Sequence, residues 1–380
     1  MIGTRRLDRL LLLLPSNRLG GTERHTATLA ARLKARTGMA VHIAAAPALL
    51  PGLAALEPEG AELHPAELAW EGAEQAEERA ARQAAETRRL LDDLHPDAAL
   101  AALPWPDAGS GLLPALAKAS VPRLVLLHLA PEAEPPEAVP SLGLDGAMVA
   151  AVSSPVARRA ALAWGLAPST VAVLPNPAPR PVAADRAATR RTLRAALGLD
   201  ASARLLLFVG RLEKAKGAEL LPGIAARLKA TIAIAGEGPL RELLDRAAAE
   251  DGAGRLRLLG QLADPAPWYL AADALLLPSR LEGAPLVFLE AAANGCPVAA
   301  TPAALEAFGE EAPRVASIAD TSDAAGMAVA AAALLGDPAR AEALAAAAAR
   351  LAAGRHWAGV VDQALGLLRG AVLKAGGGLA

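Results

Sequence analysis

The stretch Arg204-Leu205-Leu206-Leu207-Phe208-Val209-Gly210-Arg211-Leu212-Glu213-Lys214-Ala215-Lys216-Gly217 decides how the chain is read. A short apolar run ending at a glycine reads as a strand, and the apolar helical pattern after Gly217 makes it the opening of a strand-turn-helix unit. Arg211 and Lys216 then stand at the carboxyl edge of the strand and just before the helix. Two cations beside free backbone N–H groups can hold a diphosphate there. A solvated surface pair is the plain alternative. The chain has only six lysines, and two of them, Lys214 and Lys216, fall in this turn.

Working outward, short apolar runs alternate with helical patterns throughout, the signature of βαβ units on parallel sheets. Strands are expected near 9–14, 40–45, 98–103, 123–127 and 147–152, then near 204–209, 231–235, 255–259, 274–277 and 297–300. Between the two series lies Pro175-Asn176-Pro177-Ala178-Pro179-Arg180-Pro181, whose four prolines in seven residues mark a semi-rigid linker. The spacing predicts helices over 26–35, 185–199 and 286–293, and alanine-rich helices from Asp323 onward. The chain should close in a loose tail at Gly376-Gly377-Gly378. The 380 residues are too many for one ordinary core and suit two. The expected division is 1–178, 179–355, and a segment 356–380 containing a further helix. In open parallel sheets ligands bind beyond the carboxyl ends of the strands, so the chemistry is expected in a cleft between two facing lobes.

Composition removes several classes. With 53% hydrophobic residues the chain is not disordered. The mean hydropathy of +0.30 raises the question of a membrane protein. The two longest uncharged runs, 37–56 and 160–179, are broken by Gly38, Pro47, Pro51 and Gly52 and by Gly165, Pro168, Pro175 and Pro177, so neither reads as a spanning helix. Leu10 to Leu14 stops at Pro15 and lacks the form of a signal peptide, and a cytoplasmic protein is expected. The single cysteine, Cys296, allows no internal disulfide or cysteine-based metal cluster. A net charge of −2 gives no general attraction to nucleic acid. Residues 1–36 nevertheless carry eight Arg or Lys against two acidic residues, a basic edge suited to an anionic ligand or surface.

Two further loops carry chemistry. The strand near 274–277 runs into Pro278-Ser279-Arg280-Leu281-Glu282-Gly283-Ala284-Pro285 and an apolar helix. Glu282 lies in the loop and Glu290 in the helix's second turn, so both can face one ligand from different heights. Glu290 sits among alanines, away from the helix start, where the dipole gives it little, and if buried it needs a partner such as a ribose diol. Near the amino terminus, Pro15-Ser16-Asn17-Arg18-Leu19-Gly20-Gly21-Thr22-Glu23-Arg24-His25 places glycines between strand and helix, where backbone amides can approach an anion. A tight turn needing positive φ is the competing reading.

In order, the chain carries Gly20-Gly21-Thr22-Glu23-Arg24-His25, Val152-Ser153-Ser154, Leu174-Pro175-Asn176, Gly210-Arg211 with Lys216-Gly217, and Gly236-Glu237-Gly238-Pro239. It continues with Leu259-Gly260, Ala272-Asp273, Pro278-Ser279, Glu282-Gly283 through Leu289-Glu290-Ala291, and Gly295-Cys296-Pro297-Val298. This ordered set resembles the retaining glycosyltransferases of family 4, from Leu10 to about Leu368 and more strongly in the second half. The resemblance implies an α/β GT-B fold of two Rossmann-like domains, the first binding acceptor and the second a nucleotide sugar, with a last helix returning to the first. It implies that Arg211 and Lys216 hold the diphosphate, that Glu282 lies near the transferred sugar and Glu290 on the ribose hydroxyls, and that the amides of Leu286 and Val287 face phosphate. Gly210 and Gly283 flank these groups, Gly21 approaches the donor from the first domain, and His128 lies beside the transferred sugar. A structural histidine is the alternative for His128. Ala284 and Pro285 depart from the Phe and Gly of many members, which leaves the donor sugar open.

The expected reaction transfers a sugar, with retention, from a nucleoside-diphosphate sugar to a hydroxyl of a glycan or glycolipid of the cell envelope. Arg211, Lys216 and the helix amides would stabilise the leaving diphosphate without a metal or cofactor, and no Asp-x-Asp motif occurs. A Rossmann oxidoreductase would need G-x-G-x-x-G with an acid about 20 residues on, a spacing absent after the first strand. A non-catalytic nucleotide-binding subunit is disfavoured by the full set Arg211, Lys216, Glu282 and Glu290. With one Tyr and three Phe, the base is expected to rest on backbone and aliphatic contacts near Leu259 to Leu262 rather than on an aromatic stack. The acceptor would meet loops 104–111 and 129–137, where Trp105 either stacks on a sugar or packs the loop. Arg5, Arg6, Arg9 and Arg18 suit a lipid-linked acceptor at the inner face of the plasma membrane.

Overall fold

The computed structural model describes residues 7–56, 60–71, 74–132, 142–200 and 202–376. The chain divides into two compact units, Met1–Asn176 with Trp357–Ala380, and Pro177–His356. Arg5 and Arg6, part of the loop 129–137, and the end of the glycine tail lie outside the described residues.

Among the described residues the first unit is built on a seven-stranded parallel sheet, β1 (Arg9–Leu14), β2 (Ala40–Ala45), β3 (Glu62–Pro65), β4 (Ala98–Leu103), β5 (Arg123–Leu127), β6 (Met148–Ala151) and β7 (Val171–Val173). They lie in the order β3-β2-β1-β4-β5-β6-β7. Leu10 to Leu14 are fully buried, as are Ala98 to Leu103. Unbroken apolar runs of this kind arise when helices cover both faces of a parallel sheet, and the small alanines let those helices approach closely. The helix Trp357–Gly376 completes this unit, burying Val360, Val361, Ala364, Leu365, Leu368 and Ala371. Arg32 lies over the Trp357 ring at 5.1 Å, and Arg36 pairs with Asp362 at 3.2 Å.

The second unit has a six-stranded parallel sheet, β8 (Leu205–Val209), β9 (Thr231–Ala235), β10 (Leu256–Gly260), β11 (Ala274–Leu277), β12 (Val298–Ala300) and β13 (Ser317–Ile318), in the order β10-β9-β8-β11-β12-β13. Its alternation sorts side chains into two cores. Leu205, Leu207, Leu275 and Leu277 pack on one face with Phe288 and Leu289, while Leu206, Phe208, Ile232 and Ile234 pack on the other with Leu221, Ile224 and Met327. The ends of this unit are tied, since the Ala178 N–H donates to the Arg355 carbonyl at 2.7 Å.

In both sheets the strand order reverses beside the first strand, between β1 and β4 and between β8 and β11. Such switch points open a crevice at the carboxyl ends of the strands. The strands β3, β7 and β13, which the apolar runs did not predict, all lie at sheet edges, where one side is solvated and the hydrophobic signal is thin. The first helix begins at Gly21 rather than near residue 26, because its Gly20 cap and Glu23 extend it backward. Among the described residues no helix is long and apolar enough to cross a membrane.

Candidate functional site

The crevice of the second unit is set by two loops laced together. After β8 the chain passes Gly210 and Arg211 and makes a short 3-10 turn, Lys214–Lys216, that ends at Gly217 with φ of +68°. A Cβ at Gly217 would lie 2.1 Å from the Pro278 carbonyl oxygen, so only glycine lets the loop after β8 approach the loop after β11 this closely. The Arg280 N–H donates to the Ala215 carbonyl at 2.8 Å, and its guanidinium reaches the Lys214 carbonyl at 2.7 Å and Glu219. The Lys216 ammonium therefore meets Glu282 Oε1 at 2.7 Å, and the Ser279 hydroxyl donates to the same oxygen at 2.8 Å. The Glu282 side chain is nearly buried, whereas that of Lys216 is 29% exposed and can be reached by a ligand. Arg211, held by Glu213 at 3.1 Å, is 36% exposed.

The loop then enters the helix Leu286–Ala293. Its first amides, including those of Leu286 and Val287, have no intrahelical acceptors and carry the positive end of the helix dipole. Glu290, deeper in this helix, accepts a hydrogen bond from the Tyr269 hydroxyl at 2.7 Å. Tyr269 is fully buried, and burial, reinforced by the Glu290 charge, pushes its ionisation well above the ordinary phenol range. It stays a protonated donor. Gly210 and the buried Gly283 flank the crevice, and the half-buried Leu262 lies just past the end of β10. The second unit thus brings two cations, a helix amino terminus and two carboxylates to the switch point of its sheet. Such an arrangement can hold a polyanion and fix hydroxyls beside it.

In the first unit Gly21 opens the helix Gly21–Thr37. Gly20 caps it with φ of −128°, so the positive-φ reading of this loop does not apply. The turn is pinned by Glu23, whose oxygens accept from the Gly20 N–H and the Ser16 hydroxyl, each at 2.7 Å. Burial raises the pKa of that carboxyl. His128 follows β5, with its N–H donating to the Leu103 carbonyl at 2.9 Å, and its ring is buried edge-on to His25 at 5.2 Å. Trp357 stacks on His25 at 5.5 Å. Burial lowers the pKa of His25 to about 4 and that of His128 well below its ordinary value, so both rings are neutral at physiological pH. Trp105 lies parallel to Trp70 at 6.4 Å.

Two partners escaped the sequence reading. Tyr269 carried a signal, being the chain's only tyrosine in an apolar segment, where its hydroxyl needs a partner. His25 carried none beyond its place in the glycine loop.

Residues 203–354 match the model of the family "Glycosyl transferases group 1". The match lies within the second unit, Pro177–His356. The matched residues include the lysine-glutamate crevice from Arg204 to Glu290. A D-inositol 3-phosphate glycosyltransferase of Catenulispora acidiphila is 35% identical over 205 residues, 49% of this chain and 49% of that protein. Another, from Frankia alni, is 39% identical over 128 residues, 28% of this chain and 30% of that protein. The chain thus spans about half the length of the first relative and less of the second. Among solved structures, HepE of Anabaena in complex with UDP and glucose aligns with a TM-score of 0.73 at 19% identity, over 95% of this chain and 99% of that one. A glycosyltransferase from Rickettsia africae aligns with a TM-score of 0.75 at 15% identity, over 96% and 98%. At these identities the likeness shows the fold, and that fold is GT-B, two α/β domains on parallel sheets.

Proposed function

We propose that this protein is a glycosyltransferase that takes a nucleoside-diphosphate sugar as donor and passes its sugar, with retention of configuration, to a hydroxyl of a glycan or lipid-linked acceptor. The observation that carries the proposal is the Lys216–Glu282 pair at 2.7 Å at the mouth of the β8/β11 crevice, beside Arg211 and the start of the helix Leu286–Ala293. Breaking the bond from the anomeric carbon to phosphate puts positive charge on the sugar ring and additional negative charge on the leaving diphosphate. Arg211, Lys216 and the helix amides stabilise that charge in place, which removes the need for a metal. Glu282, already bound to Lys216 and Ser279, faces the transferred sugar. Glu290, oriented by Tyr269, takes the ribose diol. The base rests on aliphatic and backbone contacts around Leu262.

Gly21 and His128 serve the sugar from the first unit, whose loops read the acceptor. The neutral His128 acts as a hydrogen-bonding group rather than as a cation. The names of the relatives support this class of reaction, and the UDP and glucose of HepE make UDP-glucose the first donor to try. The basic residues Arg9 and Arg18 suit peripheral contact with an anionic membrane on the cytoplasmic side.

A panel of sugar nucleotides should contain one that raises the melting temperature and is consumed when an acceptor is supplied. The anomeric configuration of the product, read by NMR, tests retention. Failure of every nucleoside diphosphate to bind would overturn the proposal.

A further inference from the structure

The edge of the first unit's sheet carries a cluster that the reaction above does not use. In the pairing of β2 with β3, His42 lies opposite Glu62 and Ala44 opposite His64. Side chains two apart on a strand share a face, so Glu62 and His64 stand on the same side of the sheet as His42. Their polar atoms converge. His42 Nδ1 is 2.9 Å from His64 Nε2 and 3.5 Å from Glu62 Oε2, and His64 Nε2 is 3.8 Å from Glu62 Oε1. One ligand atom from each of the three lies within 4.8 Å of the others.

We propose that His42, Glu62 and His64 form a binding site for a divalent transition-metal ion of the zinc type, separate from the sugar-nucleotide crevice of the second unit. Two ligands at a tetrahedral angle on an ion with bonds of about 2.0–2.1 Å stand roughly 3.3–3.4 Å apart, and the three separations bracket that value. Two imidazoles and one carboxylate select zinc, cobalt, nickel or copper over magnesium and calcium, which prefer all-oxygen shells. His42 is ready as a ligand. Its Nδ1 faces both His64 and Glu62, so an ion placed between the three groups meets this ring directly. His64 and Glu62 are progressively more exposed, at 19% and 67% of their side chains, so the ion has an entry path and water can fill the remaining position.

Two features limit the affinity. His42 Nε2 is buried without a hydrogen-bond partner, so the ring lacks the outer acceptor that strengthens a metal-bound histidine. Arg9 adds a positive charge nearby, against a single carboxylate. Both weaken binding relative to a site with a full outer shell. Its structural effect is to clip the four-residue edge strand β3 to β2, its sole neighbour in the sheet.

The inference does not rest on the glycosyltransferase reading and is tested without it. Tag-free protein stripped with chelator is titrated with Zn2+ in a calorimeter and with Co2+ by visible absorption. The expected result is one ion per chain, the absorption of a low-coordinate cobalt site, and a rise in melting temperature of roughly 2–4 °C in excess zinc. Glu62→Gln and His64→Asn, both at solvent-accessible positions, should each weaken binding at least about tenfold. Magnesium should produce no signal. Absence of zinc binding, or undiminished binding in either variant, would overturn the site.

Discussion

The Tyr269 hydroxyl holds Glu290 Oε2 at 2.7 Å from a fully buried position, so the chain's one tyrosine is spent on orienting one carboxylate. Tyr269→Phe removes that hydrogen bond while keeping the ring. A hydrogen bond to a charged group contributes about 1.5–3 kcal/mol, and water can replace part of it at the half-exposed Glu290. The expected outcome is a donor Kd raised by about tenfold, measured by calorimetry with the matching nucleoside diphosphate, and a melting temperature lowered by a few degrees.

Lys216→Ala and Arg211→Ala should each lower turnover on the order of 10² to 10³, as for loss of one preorganised charge-stabilising group. Steady-state kinetics with the donor found by thermal shift checks this. Unchanged turnover in both variants would remove the diphosphate assignment.

Gly217→Ala tests the lacing of the two loops. The substitution must hold a φ of +68° and push a methyl group against the Pro278 carbonyl. A loss of about 2 kcal/mol or more in stability is expected from chemical denaturation, along with weaker nucleotide binding. Wild-type values for both would show that the loops are not tied in this way.

His25 sets an acid limit. Its pKa falls from 6.5 to about 4 on folding, through burial. A depressed pKa gives stability that is fully present above the unfolded value and lost as pH falls from about 6.5 through about 4. The loss attributable to this ring approaches about 3 kcal/mol, and His128 adds to it in the same direction. His25→Phe keeps a flat ring against Trp357 and removes the titration. Urea unfolding at pH 5 and pH 7 should show a smaller acid loss in the variant than in the wild type.

The sequence made the central strands legible because their residues are buried on both faces, as Leu10 to Leu14 and Leu205 to Val209 illustrate. The same logic hid β3 and β13, whose residues serve one neighbour and meet solvent. At the site, Arg211, Lys216, Glu282 and Glu290 were visible as charges interrupting apolar runs at strand ends. Tyr269, the partner of Glu290, was not, and neither was His25 beside His128, because both act through contacts that depend on how separate elements pack. The His42–Glu62–His64 cluster was invisible for the same reason. Parallel pairing of β2 and β3 brings together residues that nothing in their linear spacing connects.

The helix Trp357–Gly376 belongs to the unit that the chain began building at β1, yet the whole of Pro177–His356 is translated between them. A ribosome therefore releases the second unit complete while the first still exposes the seat of Val360, Val361, Leu365 and Leu368. During synthesis the order of maturation is inverted, with the second unit finished before the unit that precedes it. A nascent chain arrested after residue 356 should thus expose an apolar surface to chaperones on its amino-terminal half, even where its carboxyl-terminal half is already resistant to protease.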